Sequence, residues 1–405
     1  MALLTPFRAL RPAPAVAARV ASVPYDVVTT AEARALAQIE SLSFLHVTRS
    51  EVDLPDTTAP YDASVYARAA ENLRALAANA PLVTDEQPTL YFYRQQMGAH
   101  VQTGLAGCFS VDEYERDLIK KHENTRPDKE DDRTRHIIEV RAQTGVVFLT
   151  YRASTAVDAV AARACAGAPL YDFTAPDGIR HTVWPVAASD VHALVDAFAA
   201  IPALYIADGH HRAASAARAR ATLRDRGLPT PEADGFIAVA FPDSQVQILP
   251  YHRVVKGLNG HTPATFLVAL RARLAVTDGQ PRPSRPDEVS MFLAGRWYAL
   301  RMPASPAGTP RADALAVAVL QREVLEPVLN IGDVRTDKRV DFVGGARGTG
   351  ALEALVTSGQ AAVAFSMYPV AVDDLVAVSD AGGIMPPKST WFEPKLRDGL
   401  LVHQI

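Results

Sequence analysis

Two cysteines in 405 residues, Cys108 and Cys165, cannot staple a chain of this length, and no Cys-x-x-Cys pair is present. A disulfide scaffold is excluded, a zinc ribbon lacks support, and a reducing compartment is expected. Lysine is nearly as scarce, with only Lys120, Lys121, Lys129, Lys256, Lys338, Lys388 and Lys395. Such scarcity draws attention to Lys388 and Lys395 near the end of the sequence. The formal net charge of -4 lacks the basic excess of a general nucleic-acid binder, so no nucleic-acid partner is expected. No apolar run approaches membrane-spanning length, and Met1 to Arg8 lacks the charged start and apolar stretch of a signal peptide. A cytoplasmic protein with no membrane partner is the expectation. Internal repeats, the Gly-x-Ser-x-Gly elbow and the zincin His-Glu-x-x-His are missing too, which leaves solenoids, serine hydrolases and zincins without support.

What remains is an ordinary globular composition, 48% hydrophobic and 21% charged, on a chain long enough for two domains. Strand-like and helix-like stretches alternate, which predicts an α/β fold. Helices are expected at 31–37, 61–78, 157–165, 191–199, 213–226, 312–329 and 349–358. Strands are expected at 43–48, 89–94, 101–110, 146–151, 235–241, 245–249 and 361–367, with hairpins around Gly98 and around Ala294-Gly295. Prolines accumulate between 259 and 310. That shift places a boundary between an N-terminal α/β region, 1–258, and a C-terminal α/β module, 259–405.

Chemistry is concentrated where the apolar run Ala203 to Ala207 stops at Asp208-Gly209-His210-His211-Arg212 and an alanine-rich helix follows. A strand–turn–helix junction aims backbone N–H groups and the positive end of a helix dipole at one spot, which suits phosphate or carboxylate. Asp208 is a candidate for a divalent cation, and Arg212 for a guanidinium fork on phosphate oxygens. The plain alternative is a solvated turn opening a helix. Adjacent histidines point in different directions on a helix, so His210 and His211 do not form the one-face pair of a zinc site.

Two further segments carry charge of the right kind. From His122 to Arg133 the chain offers a His122–Glu123 pair for proton transfer and Arg126, Lys129 and Arg133 for anionic oxygens. Pro127 is expected to break a helix there and leave a loop folded over a site; a solvated charged face is the alternative. In Met385-Pro386-Pro387-Lys388-Ser389-Thr390, Lys388 with Ser389 and Thr390 offers donors to a phosphate on a stiff approach. The glycines of a P-loop are missing there. Gly344 to Gly350 has the wrong spacing for a dinucleotide fingerprint and is expected to be a flexible turn.

Taken in order, Pro6-Phe7-Arg8-Ala9, Pro24-Tyr25-Asp26-Val27-Val28, Ser43-Phe44-Leu45-His46-Val47, the His122-Glu123 loop, the 208–212 turn and the 385–390 segment resemble the DUF1015 family across nearly the whole chain. The turn and its helix, together with Pro24-Tyr25-Asp26, resemble the nucleotide motif of the ParB/sulfiredoxin superfamily, which includes free-serine kinases. That resemblance implies an elaborated ParB/sulfiredoxin-like mixed-sheet core with an additional α/β module. It implies ATP or ADP held at Gly209, His210, His211 and Arg212, with Mg²⁺ at Asp208. No sulfiredoxin cysteine sits in the turn, and no helix-turn-helix with a basic face is visible. The expected activity is phosphoryl transfer on a small hydroxyl metabolite, with free L-serine or phosphoserine foremost; kinase and phosphatase directions both stay open. Glu123 or Asp26 would take the hydroxyl proton beside His122, and Arg126, Arg133 or Lys388 would stabilise the transferred group. Two other classes stand beside it: a nucleotide-switched binding protein, and a metal-dependent hydrolase using His122, Asp208, His210 and His211. A homo-oligomer is compatible with all three.

Overall fold

Two β-rich runs, Tyr91–Met97 and His100–Ser110, fold back on each other at Gly98, whose φ of +60° suits a tight turn without a side chain. This hairpin lies within the nine-stranded sheet of the first of two compact units, Met1–Val246 with Pro394–Ile405; the second is Gln247–Glu393. The computed structural model describes residues 3–79 and 82–405. In chain order the strands are β1 (Leu4–Thr5), β2 (Tyr91–Met97), β3 (His100–Ser110), β4 (Ile119–Lys120), β5 (Val147–Tyr151), β6 (Tyr171–Thr174), β7 (Arg180–Pro185), β8 (Leu204–Asp208) and β9 (Gly235–Pro242). They lie in the order β4-β8-β5-β9-β3-β2-β7-β6, with β1 added against β3. Pairings β4/β8 and β5/β9 are parallel and the rest antiparallel. The sheet is therefore mixed, and the α/β class is what the chain adopts.

Four helices matter for the site: α1 (Thr30–Ile39), α2 (Ala63–Asn79), α3 (Pro127–Val140) and α4 (His210–Asp225). Helix α4 buries Ala213 and Ala216 among Phe109, Leu149, Ile206 and Phe236. Its small residues also let α3 come close: the Ser215 hydroxyl donates to the Glu130 carbonyl oxygen at 3.2 Å. A smaller antiparallel sheet inserts Val402–Gln404 between Ala9–Pro12 and Ala142–Gln143. Residues 394–405 are thus woven into the first unit.

The second unit is built on a six-stranded antiparallel sheet. Its strands are β10 (Tyr251–Val255), β11 (Ala275–Asp278), β12 (Glu288–Leu293), β13 (Arg296–Arg301), β14 (Val340–Gly344) and β15 (Val363–Ser366), in the order β11-β13-β12-β15-β10-β14. A two-stranded pair, Gln247–Leu249 against Trp391–Glu393, joins its first and last residues. Among the described residues no helix is long and apolar enough to cross a membrane.

The structure corrects four local expectations. Residues 43–48 are not a strand: Leu45–Thr48 is a helical turn with Phe44, Leu45 and Val47 all buried, which an extended segment could not achieve against one sheet face. Pro127 does not break a helix; it occupies the first turn of α3, where its missing N–H has no partner to lose. The alanine-rich helix starts at His210 and not Ala213, because Gly209 supplies the turn. The expected helix over 312–329 is interrupted at Leu315, whose ψ of 143° is extended, and continues as a π-helical turn over Gln321–Leu325.

Candidate functional site

Strand β8 ends with a register shift against β5 between Ile206 and Asp208. Such a bulge re-aims the side chain that follows it. Gly209 then takes φ +99°, and a Cβ on it would stand 3.1 Å from the Arg212 guanidinium carbon, so the turn accepts only glycine without strain. No side chain caps the start of α4. Its first-turn N–H groups have no intrahelical partners and carry the positive end of the helix dipole.

Around this turn the first unit gathers five ionisable side chains. Lys395 Nζ lies 3.1 Å from Asp208 Oδ2, and Arg212 Nη2 lies 3.4 Å from that oxygen and 3.3 Å from Asp26 Oδ2. Burial alone would raise the Asp208 carboxyl, yet Lys395 and Arg212 hold it well below the usual range. Arg212 is itself buried; its Nη1 donates to the Val146 carbonyl, and its stem lies 3.0 Å from where a Gly145 Cβ would stand. Against the cost of burial, Asp26 and Asp208 keep its guanidinium firmly charged. The fifth member is Asp398. It is buried and faces the Val146 and Tyr25 amides without a well-formed hydrogen bond, and burial, with Asp26 nearby, pushes it up to about 7.

The two histidines turn out to hold a loop. His210 Nε2 accepts from the His122 backbone N–H at 3.3 Å, and His211 Nε2 accepts from the Arg126 N–H at 3.0 Å. Their divergent directions, expected for neighbours on a helix, clamp both ends of 122–126. Burial lowers both, most strongly His210, where His122 adds to the effect. With Nε2 accepting, His210 carries its proton on Nδ1, which lies 3.8 Å from Glu123 Oε2. His122 packs edge-on to His210 at 4.4 Å between ring centroids, and burial drives it down to about 4, so it is neutral near pH 7.

The other expected residues divide. Glu123 and Asp26 are exposed at the edge of the cluster. Arg126 is exposed and paired with Asp128 in the first turn of α3. Arg133 is turned inward: it bonds Asp132 at 2.8 Å and lies over the Tyr25 ring at 4.4 Å, a packing role. Lys388, Ser389 and Thr390 belong to the second unit. A small cavity of about 20 Å³ lies behind the turn, lined by Tyr25, Arg133, His136, Gln143, Gly145 and Arg212. It has room for about one water. Among the described residues no three His, Cys, Asp or Glu side chains gather as a metal-ligating group.

Lys395 and Asp398 are the members that motif reading did not place. Lysine scarcity pointed to Lys395 without a role, and nothing in the sequence around Asp398 signals that it is buried beside Arg212.

A mixed α/β unit with a charged strand–turn–helix junction defines the class. The chain belongs to the DUF1015 family, described as a protein family of unknown function, whose model matches residues 4–324. No curated protein matches the chain. Among solved structures it is similar to SbnI with C-terminal truncation from Staphylococcus aureus: 15% identity, TM-score 0.40, covering 73% of this chain and 86% of that one. It is also similar to a conserved hypothetical protein from Pyrococcus furiosus (13%, TM-score 0.36, 73% and 94%) and to a free serine kinase in complex with AMP (11%, TM-score 0.37, 73% and 91%). Overlaps this remote carry no information about ligand or reaction.

Proposed function

We propose that the first unit binds a nucleotide by its phosphates at the Asp208–Arg212 turn and transfers a phosphoryl group to or from a small hydroxyl metabolite, L-serine being the first to test. The observation that carries this reading is the uncapped start of α4 behind Gly209 with Lys395 and Arg212 beside it. A helix terminus alone contributes about 0.3–1 kcal/mol toward an anion. Micromolar binding needs about 8 kcal/mol, so the two cations and further contacts must supply most of it.

In the kinase direction Glu123 accepts the proton of the acceptor hydroxyl. The freed oxygen attacks the terminal phosphorus, and the bond to the nucleotide's bridging oxygen breaks. His210 Nδ1 lies 3.8 Å from that carboxylate, near enough to favour its charge without a hydrogen bond, and neutral His122 packs against the His210 ring. With water as acceptor and phosphoserine as substrate, the same groups would run a phosphatase.

The Mg²⁺ expected at Asp208 meets a donor set that does not fit it. The carboxylate oxygen there is already shared by an ammonium and a guanidinium, and among the described residues no three His, Cys, Asp or Glu side chains gather around it as ligands. Charge neutralisation is therefore assigned to Lys395 and Arg212, and no step is routed through a metal. Among the described residues the same shortage of ligands counts against the metal-hydrolase alternative.

The test is ³¹P NMR of the protein with ATP or ADP plus L-serine, with and without Mg²⁺, and with phosphoserine alone. Phosphoserine growing from nucleotide establishes the kinase, and inorganic phosphate from phosphoserine the phosphatase. Nucleotide binding with unchanged spectra overturns catalysis in favour of a nucleotide-switched binding protein.

A further inference from the structure

Strand β10 carries Arg253 into the interior of the second unit, where the residue is 2% exposed. A cation taken out of water is ordinarily matched by a carboxylate. Arg253 has none among the described residues. Its two hydrogen bonds go to backbone carbonyls, of Tyr251 and, at 3.0 Å, of Pro387. A guanidinium carries five N–H donors, so donors remain for another acceptor. Burial without a counter-charge pushes the group down to about 10.

The side chain lines a cavity of about 40 Å³ together with Tyr251, Met367, Asp374 and Ser389. Asp374, the acid of this lining, is engaged elsewhere: Arg311 Nε donates to it at 2.6 Å and the Ala371 N–H at 3.2 Å. A second cation, Lys388, does not line the cavity but stands against one of its lining residues, with Nζ 5.6 Å from the centroid of the Tyr251 ring, so that it adds positive charge from outside the wall. Lys388 takes φ +52°, a left-handed conformation that a non-glycine residue holds only when its surroundings enforce it. The enforcement is visible. Arg253 holds the Pro387 carbonyl, and the Ser389 hydroxyl donates to Pro386 O at 2.7 Å. Nearby His252 adds no positive charge near pH 7, since burial and then Arg253 and Arg282 bring it down to about 4, and its Nδ1 accepts the Met367 N–H.

We propose that the second unit has an oxyanion site of its own, in which Arg253 and Lys388 receive the phosphate or carboxylate head of a small acid between Tyr251, Met367 and Ser389. The space beside Arg253 is large enough to take a small oxyanion head in place of water. This goes beyond the phosphoryl-transfer reading and depends on no residue of the 208–212 turn.

The experiment titrates inorganic phosphate into the full chain and follows the ³¹P line width, with acetate as competitor. Because the first-unit turn is itself proposed to take phosphate, Lys395→Met is the reference, and Arg253→Gln and Lys388→Ala are each added to it. Saturable broadening is expected to persist in Lys395→Met, to be at least tenfold weaker once Arg253→Gln is added and several-fold weaker once Lys388→Ala is added. Displacement by acetate assigns the site to carboxylates, and failure to displace assigns it to phosphates; either supports it. Absence of saturable binding in Lys395→Met overturns the proposal, as does undiminished binding in both second-unit variants. Should Arg253→Gln not fold, the exposed Lys388→Ala decides alone: undiminished affinity there overturns the site.

Discussion

Asp398 illustrates what a single buried carboxyl does to the whole protein. Its folded value of about 7 lies above the 3.8 of a free aspartate. Between those two values the native state keeps a proton that the unfolded chain has released, so stability falls as pH rises through this window. Asp398→Asn, which keeps the shape without the charge, is expected to melt at the same temperature as wild type near pH 4. At pH 8 it should melt several degrees higher. Thermal unfolding across pH checks this, and a difference independent of pH would contradict it. Lys395→Met is expected to weaken nucleotide binding at least tenfold, about 1.4 kcal/mol, by leaving Asp208 with Arg212 alone; calorimetric titration with ADP reads it. The residue scale was only half legible in sequence. The Asp208–Arg212 string announced itself by crowding polar groups after an apolar strand. Asp398 did not, because its significance comes from burial beside Arg212, far away along the chain.

At the scale of elements, the junction of β8 and α4 depends on close approach. Gly209→Ala would place a Cβ 3.1 Å from the Arg212 guanidinium carbon at φ +99°. A cost of about 1–2 kcal/mol is expected from the backbone alone, together with loss of activity as Arg212 shifts; denaturant unfolding and the ³¹P assay measure the two. Ser215 is fully buried where α4 meets α3. Ser215→Leu should cost about 1–3 kcal/mol by overpacking, whereas Ser215→Ala should cost less, and comparing the pair separates volume from the hydrogen bond. The hairpin at Gly98 and the strand before Asp208 were readable because their turn chemistry is local. The Pro127 segment was not. Proline terminates or begins a helix equally well, and what decides here is that the His211 ring receives the Arg126 N–H just ahead of it. Likewise Phe44-Leu45-Val47 gives an apolar cluster whose period is too short to separate a strand from a single helical turn.

For the whole molecule, the second unit is inserted into the first. Gln247 pairs with Glu393, so the chain leaves and returns at neighbouring positions. Replacing 247–393 by a short Gly-Ser linker is expected to leave a first unit that unfolds cooperatively and still binds nucleotide; a molten or aggregated product would contradict it. Composition could announce a two-unit chain but not that its late residues, Lys395 and Asp398 among them, return to the earlier unit. The return also sets an order of assembly at the ribosome. As the chain emerges from its N-terminal end, everything up to Val246 waits without the strand Val402–Gln404 and without the Lys395 ammonium beside Asp208, while the inserted unit can already close on itself. A nascent chain halted before residue 394 therefore carries every residue of the second unit, while the Asp208–Arg212 turn still lacks the ammonium of Lys395.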